Sequence, residues 1–189
     1  MKRRLNHCIV ILMTACFLLS AAGCSSNKEP DLSTPSGITE AFLEHMKAGE
    51  YSEACEVAGT KFDEEAYENS VQLQKNVMKE TYAQMDYEIV EEKIEEDESK
   101  AGVTVKITNI NYIETLNDAV YETMQANEDD EYTEELYKEA MKEAERNEST
   151  VLVSYRKDEG KWVFDGSNSQ LYAAMLGYLQ EAEAGTDTE

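Results

Sequence analysis

In two stretches of this chain apolar residues recur at every second position, and that pattern limits the fold more than any other feature. Ala101, Val103, Val105 and Ile107 alternate with Thr104, Lys106 and Thr108, while Val151, Val153 and Tyr155 alternate with Leu152, Ser154 and Arg156. Successive strand residues point to opposite faces, so each stretch reads as a strand with one apolar side. Tyr87 to Ile94 precedes the first as a charge-diluted strand, with Asp97-Glu98-Ser99-Lys100 as the connecting turn. Trp162-Val163-Phe164 follows the second across Asp158-Glu159-Gly160. Two antiparallel β-hairpins are expected.

Elsewhere the period is helical. Ile38, Ala41, Phe42 and Met46 define a first helix after Ser36, ending at Gly49, where a left-handed cap costs little. Tyr51 to Ala58 reads as a short second helix closed by Gly59, and a longer third begins near Asp63 with Tyr67, Val71, Val77 or Met78, and Met85 along its apolar stripe. Between the hairpins Ile113, Leu116, Val120 and Met124 recur at helical spacing, Asn127 to Glu131 interrupts, and Leu136, Tyr137, Ala140, Met141 and Ala144 resume it. This predicts a helical hairpin inserted over 113–147. A last helix after Asp165-Gly166 has Ser167 or Asn168 as N-cap and Leu171, Tyr172, Met175 and Leu179 on its apolar side. The expected class is α+β, with helices packed on one face of a curved antiparallel sheet. A single domain over 37–183 is expected, followed by a disordered tail at 184–189.

The run from Phe42 to Ala54 and the closing run from Lys157 to Asp165 resemble the ends of bacterial lipoprotein domains of unknown function. Those domains are similar to the nuclear transport factor and ketosteroid isomerase cone fold. The resemblance implies a cone-like sheet, with the 113–147 segment capping its cavity or extending the helical layer. That superfamily includes isomerases, dehydratases and polyketide cyclases that use Asp, His or Tyr inside the cone. None of their motifs maps onto this chain residue by residue.

The N-terminus has its own logic. Lys2, Arg3 and Arg4 are followed by an apolar run from Ile9 to Leu19 and then by Ser20-Ala21-Ala22-Gly23, the three parts of a secretory signal. The uncharged stretch from Cys8 to Cys24 is shorter than the roughly 20 residues a transmembrane helix needs. Leu19 to Cys24 resembles the bacterial lipobox, with Ala21 where leucine is usual and the leucine at Leu19. That resemblance implies a signal peptide over 1–23 and a diacylglyceryl group on Cys24, together with an address on the extracytoplasmic face of the cell membrane. Two acyl chains hold a protein stably on a bilayer where one does not. Residues 24–36, with four serines, one asparagine and both prolines, read as a flexible tether.

Charge removes further classes. Residues 1–23 hold three basic and no acidic residues, so the remainder carries 14 Lys+Arg against 40 Asp+Glu, a formal charge of −26. Nucleic-acid and anionic-lipid binding require basic patches, which this chain lacks. The acidity suits a solvated surface. With Cys8 and Cys16 in the signal and Cys24 acylated, Cys55 is left alone, so no intramolecular disulfide is expected and the core must hold the domain. Cys55 falls at helical spacing with Tyr51, Ala54 and Ala58 and reads as a small buried hydrophobe.

Catalytic signatures are scarce. His45, the one histidine after residue 23, sits between Phe42 and Met46 and reads as a solvent-edge or satisfied core side chain rather than a base. Asp86, Tyr112 and Tyr155 lie on strands or at element ends, where packing is the ordinary role. One histidine and one thiol do not make a zinc site, and Asn127 to Tyr132 lacks the glycine and distal glutamate of a calcium loop. No phosphate cradle or serine elbow occurs. Trp162, Phe164, Tyr155 and Val153, with His45 nearby, are the candidates for lining a ligand cavity; an ordinary core of sheet against helix is the favoured account of the same stripe. The resulting expectation is a noncatalytic binding or interaction module without a cofactor, whose partner is an envelope protein or a small apolar ligand. An isomerase or dehydratase using a buried acid or histidine is the first alternative. An assembly factor that forms a homodimer through its sheet is the second.

Overall fold

The computed structural model describes Glu29 to Tyr178, and every structural statement below concerns those residues. The signal peptide, Cys24, the start of the tether, Leu179 and the 184–189 tail lie outside them. In chain order the elements are α1 (Pro35–Ala48), α2 (Tyr51–Val57), α3 (Glu64–Glu68), α4 (Gln72–Ala83), β1 (Asp86–Ile94), β2 (Lys100–Ile110), α5 (Tyr112–Ala126), α6 (Asp130–Ala140), β3 (Arg146–Asp158), β4 (Lys161–Phe164) and α7 (Ser169–Met175). The class is α+β, with one four-stranded antiparallel sheet in the order β1-β2-β3-β4.

Strict alternation places the sheet's two faces. Val103, Val105 and Ile107 of β2 and Val151, Val153 and Tyr155 of β3 are buried, and they join Ile38, Phe42 and Leu43 of α1 and Leu171 and Met175 of α7 in the main core. Thr104 opposite Leu152 and Lys106 opposite Thr150 face outward, and Lys106 pairs with Glu148 at 2.8 Å. The β3–β4 connection is a two-residue turn with φ of +48° at Glu159 and +83° at Gly160, the positive pair that matches a right-handed strand twist. β3 begins at Arg146, five residues earlier than its alternation shows, and pairs with β2 as far as Ile110. The 113–147 boundary therefore overran the strand. Arg146 explains the hidden start: its guanidinium bonds Asp86 Oδ2, Gln84 O and Thr108 O, so a charged residue closes this edge of the sheet.

Three helical expectations need correction. First, α1 starts at Pro35 rather than after Ser36. Thr34 caps it by accepting from Gly37 N at 3.0 Å, proline fits the first turn because its missing N–H has no partner there, and Ser36 N donates to Glu92 Oε2 at 2.7 Å. The end of the supposed tether is thus tied into the domain.

Second, the long third helix is two helices. Asn69 and Ser70 break it, and Val71, 62 % exposed, leads into α4 instead of packing. Asp63 does cap α3, accepting from Ala66 N at 2.9 Å.

Third, α5 is turned so that of its hydrophobic stripe only Leu116 packs inward, against the second core. Ile113, Val120 and Met124 are 47, 36 and 74 % exposed, whereas Thr115, Ala119 and Thr123 are buried. Thr133 Oγ1 donates to Thr123 Oγ1 at 2.9 Å, and small side chains let α5 lie close against α6. A second core of Val77, Ile110, Ala119, Tyr137 and Met141 closes around this pair. Met124→Lys is accordingly expected to change stability by under about 0.5 kcal/mol, while Ala119→Leu costs roughly 1–3 kcal/mol by overpacking. Urea midpoints of the two variants check the orientation; a large cost at Met124 would contradict it.

A candidate aromatic binding pocket among the helices

The sequence candidates for a cavity do not converge on one. Tyr155 and Phe164 pack edge to face at 5.3 Å, Phe164 meets Phe42 at 5.0 Å, and the Tyr155 hydroxyl bonds Thr39 Oγ1 at 2.6 Å. Val153 is fully buried beside them. These are core side chains, as the sheet-against-helix account required. His45 is apart from them, on the open side of α1, with Nδ1 at 2.7 Å from Glu50 Oε2. Trp162 sits at the end of the sheet under the Lys157 ammonium, 4.9 Å from its ring, and does line a cleft, of about 760 Å³, with Ile38, Glu56, Val57 and Lys161.

A different pocket forms among the helices, and no strand lines it. Met46 of α1, Tyr51 and Cys55 of α2, Tyr67 of α3, Met78 and Tyr82 of α4 and Tyr172 of α7 line a solvent-open cavity of about 230 Å³, with Phe62, Ser70, Gln74 and Lys75 completing the wall. Local sequence explains how these elements meet. Gly59, at φ +67°, lets the end of α2 lie directly on Val163, and Phe164 N donates to Ala58 O at 2.9 Å. That contact fixes α2, and with it Tyr51 and Cys55, against β4. The break at Asn69-Ser70 turns α3 so that Tyr67 reaches back over the cavity: its ring meets Tyr51 at 5.7 Å and Phe62 at 5.5 Å. Tyr51 also stacks edgewise on Tyr82 at 5.9 Å. Such tilted contacts are the preferred aromatic geometry and contribute beyond area burial.

Polar groups in this pocket are few. Tyr51 Oη is buried and has no hydrogen-bond partner within the protein. Burial, and secondarily Tyr67, pushes its pKa up to about 12, so the phenol is neutral and a donor. Burial likewise raises Tyr82 and Tyr172. Lys75 Nζ donates to Glu68 O at 2.9 Å and lies 5.0 Å from the centre of the Tyr67 ring, the geometry of a cation–π contact. Cys55 is only half-buried, which corrects its reading as a core residue. An unpaired buried hydroxyl costs roughly 1–3 kcal/mol, so Tyr51→Phe is expected to leave stability unchanged or raise it by about 1 kcal/mol. A thermal melt of that variant tests this, and a clear loss would show that the hydroxyl has a partner.

The chemistry available follows from what is buried. Among the described residues the buried polar side chains are Thr39, Thr81, Asn109, Thr115, Thr123, Thr133 and Ser149, and no carboxylate or imidazole is among them. No cluster of three or more metal-ligating side chains occurs among the described residues, and no helix among them is long and apolar enough to cross a membrane. Compared with protein families, with curated proteins and with solved structures, the chain matches none of them.

Sequence reasoning missed this pocket because its walls come from five elements and its outer wall depends on a helix break. One signal was present. Tyrosine occurs 11 times against a single tryptophan, and Tyr51 and Tyr67 flank the Phe62 turn. Clustered amphipathic aromatics are what a wet apolar pocket uses.

Proposed function

We propose that this chain is a noncatalytic binding module, held by lipid on Cys24 at the extracytoplasmic face of the cell membrane, that takes a small and largely apolar ligand. In this reading the domain is a cone-like relative of the nuclear transport factor and ketosteroid isomerase fold, with α5 and α6 inserted between its two hairpins. Ligand binding occurs in the helical layer rather than inside the cone. The observation that carries the proposal is the cavity among Tyr51, Tyr67, Met78, Tyr82 and Tyr172. Ligand sites are apolar and concave with a few placed polar groups, and this one has that composition. An isomerase or dehydratase reading needs a buried acid or histidine in a pocket, and the half-exposed His45–Glu50 pair supplies neither.

Binding is tested by methionine-methyl NMR during titration with benzyl alcohol. Met46 and Met78 resonances are expected to shift saturably while the buried Met175, which does not line the cavity, does not. Unmoved Met46 and Met78 signals would reject the pocket. Anchoring is tested separately: mass spectrometry of the N-terminal peptide should find Cys24 diacylated, and Cys24→Ser should release the protein from the membrane fraction.

The assembly reading, a homodimer through the sheet, draws on exposed apolar side chains, which lie on the strands (Val90, Ile94, Leu152) and on α5. The sheet's outer face carries the Lys106–Glu148 pair, threonines and Leu152, 56 % exposed, and Ile113, Val120, Tyr121 and Met124 leave an apolar strip on α5. Sedimentation equilibrium of the parent and of Met124→Lys decides it: a dimer lost in the variant supports self-association through α5, and a monomer in both removes it.

A further inference from the structure

The chain enters the domain through a turn that is fastened at one end of the sheet. Asp31 Oδ1 accepts from Ser33 N and Oγ at 3.0 and 2.7 Å, and Asp31 O accepts from Thr34 N at 3.0 Å. Thr34 caps α1, Ser36 N reaches Glu92 of β1, and Gly37 has no Cβ where one would collide with Asp31 O. Leu32 and Ser33 line one cleft with Gly160, Lys161 and Trp162, beside the turn between β3 and β4. The turn between β1 and β2 is at this same end: Lys100 pairs with Arg156 in the ladder, and Lys157 Nζ donates to Glu98 Oε2 at 2.9 Å. The opposite end holds Ile110 paired with Arg146, and there the α5–α6 insertion leaves the sheet and returns to it.

Length then sets orientation. Seven residue steps lead from Cys24 to Asp31 and reach at most about 25 Å. β2 runs the length of the sheet from Lys100 to Ile110, roughly 33 Å at about 3.3 Å per residue. With Cys24 at the bilayer surface, the Ile110 end cannot point at the membrane, because Asp31 would then stand beyond the reach of its own chain. We infer that the two hairpin turns form the membrane-facing end of the domain, and that Ile110, Arg146 and the base of the insertion are presented outward. This rests on the lipid anchor at Cys24 proposed above. The partner of the turn end is the headgroup layer, and charge says how it is met. Glu95, Glu96, Asp97, Glu98, Asp158 and Glu159 stand at the two turns against Lys100, Arg156, Lys157 and Lys161, and Arg156 and Lys157 already pair with Asp158 and Glu98. A net negative end has no attraction for anionic lipid, so the short tether holds it there.

Nanodiscs of phosphatidylcholine carrying a gadolinium-chelating headgroup lipid test this on the acylated full chain, since paramagnetic relaxation falls steeply with distance from the headgroups. Trp162, the sole tryptophan, reports the turn end through its indole N–H. The methyls of Met141, packed with Ile110, and of Met175, whose carbonyl accepts from Asn109, report the far end. Trp162 is expected to relax severalfold faster than either methionine. Equal rates at both ends, or faster relaxation at the methionines, overturns the orientation while leaving the anchor intact. Inserting roughly a dozen Gly and Ser residues after Ser26 adds ~20 Å of root-mean-square reach. The Trp162 enhancement should then fall severalfold, and an unchanged value overturns the tether as what places this end. Mass spectrometry of the same sample separates the two readings: an unacylated Cys24 with no enhancement anywhere overturns the anchor, and the orientation with it.

Discussion

Phe42→Ala is expected to destabilise the domain by about 3–5 kcal/mol, a third or more of the roughly 5–15 kcal/mol that holds a typical domain folded. The ring is fully buried in α1 and is the point where the helical layer meets the sheet: Phe164 of β4 lies 5.0 Å from it and Tyr172 of α7 meets it edge-on at 6.0 Å. Truncation removes the transfer energy of a phenyl group and leaves a cavity that two different elements would have to move to fill. Urea unfolding should show a lower midpoint at unchanged slope. Because the ring supports Tyr172 at the pocket wall, any saturable benzyl alcohol shift of Met46 and Met78 should weaken as well. A cost near 1 kcal/mol would mean that the layers close over the gap and that Phe42 is not the anchor.

The second large effect is expected at Asn109, the buried polar residue near the end of β2. Its Nδ2 donates to Thr81 O at 2.9 Å and to Met175 O at 2.6 Å, and its Oδ1 accepts from Ile110 N at 2.9 Å. Thr81 and Met175 stand in the last turns of α4 and α7, where carbonyls lack the regular helical partner; Thr81 O also accepts from the C-cap Gln84 N at 3.2 Å. One side chain thus satisfies two helix ends and joins both to the sheet. Asn109→Leu keeps the volume but takes this partner from Met175 O and Ile110 N in the core and removes the second bond to Thr81 O, which should cost about 3 kcal/mol. Native-state amide exchange gives the sharper readout. Exchange should accelerate first in α7, which is short and whose other hydrogen-bonded ties are Asn168 with Ser154, Tyr112 N to Leu176 O and Asn147 Nδ2 to Gly177 O. Uniform acceleration throughout the domain would instead show that Asn109 contributes no special link to α7.

Both effects concern residues whose importance differs in visibility. Phe42 was evident from spacing alone, since Ile38, Phe42 and Met46 repeat every four positions. Asn109 carried no such mark. It ends the alternating run of β2 as one more polar residue, and its role depends on two helices that approach from 28 positions before it and 66 after. Asn168 is similar. It stands at the N-cap position of α7, but its side chain makes no cap bond; it bonds Ser154 N at 3.0 Å instead, so a local signal is used for a long-range tie.

Local chemistry determined much of this protein. Alternation set the strands and which of their faces is buried, because the strand period admits no other arrangement. Gly49, Gly59 and the Glu159-Gly160 turn marked ends that a left-handed backbone makes. Tertiary structure decided what pairwise contact alone can decide. It turned α5 so that its small threonine and alanine side faces inward, because close approach to α6 outweighed burial of Val120 and Met124. It also placed His45 at the surface, packed Tyr155 and Phe164 into the core, and assembled the tyrosine pocket from five separate elements whose shared cavity has no period in the sequence.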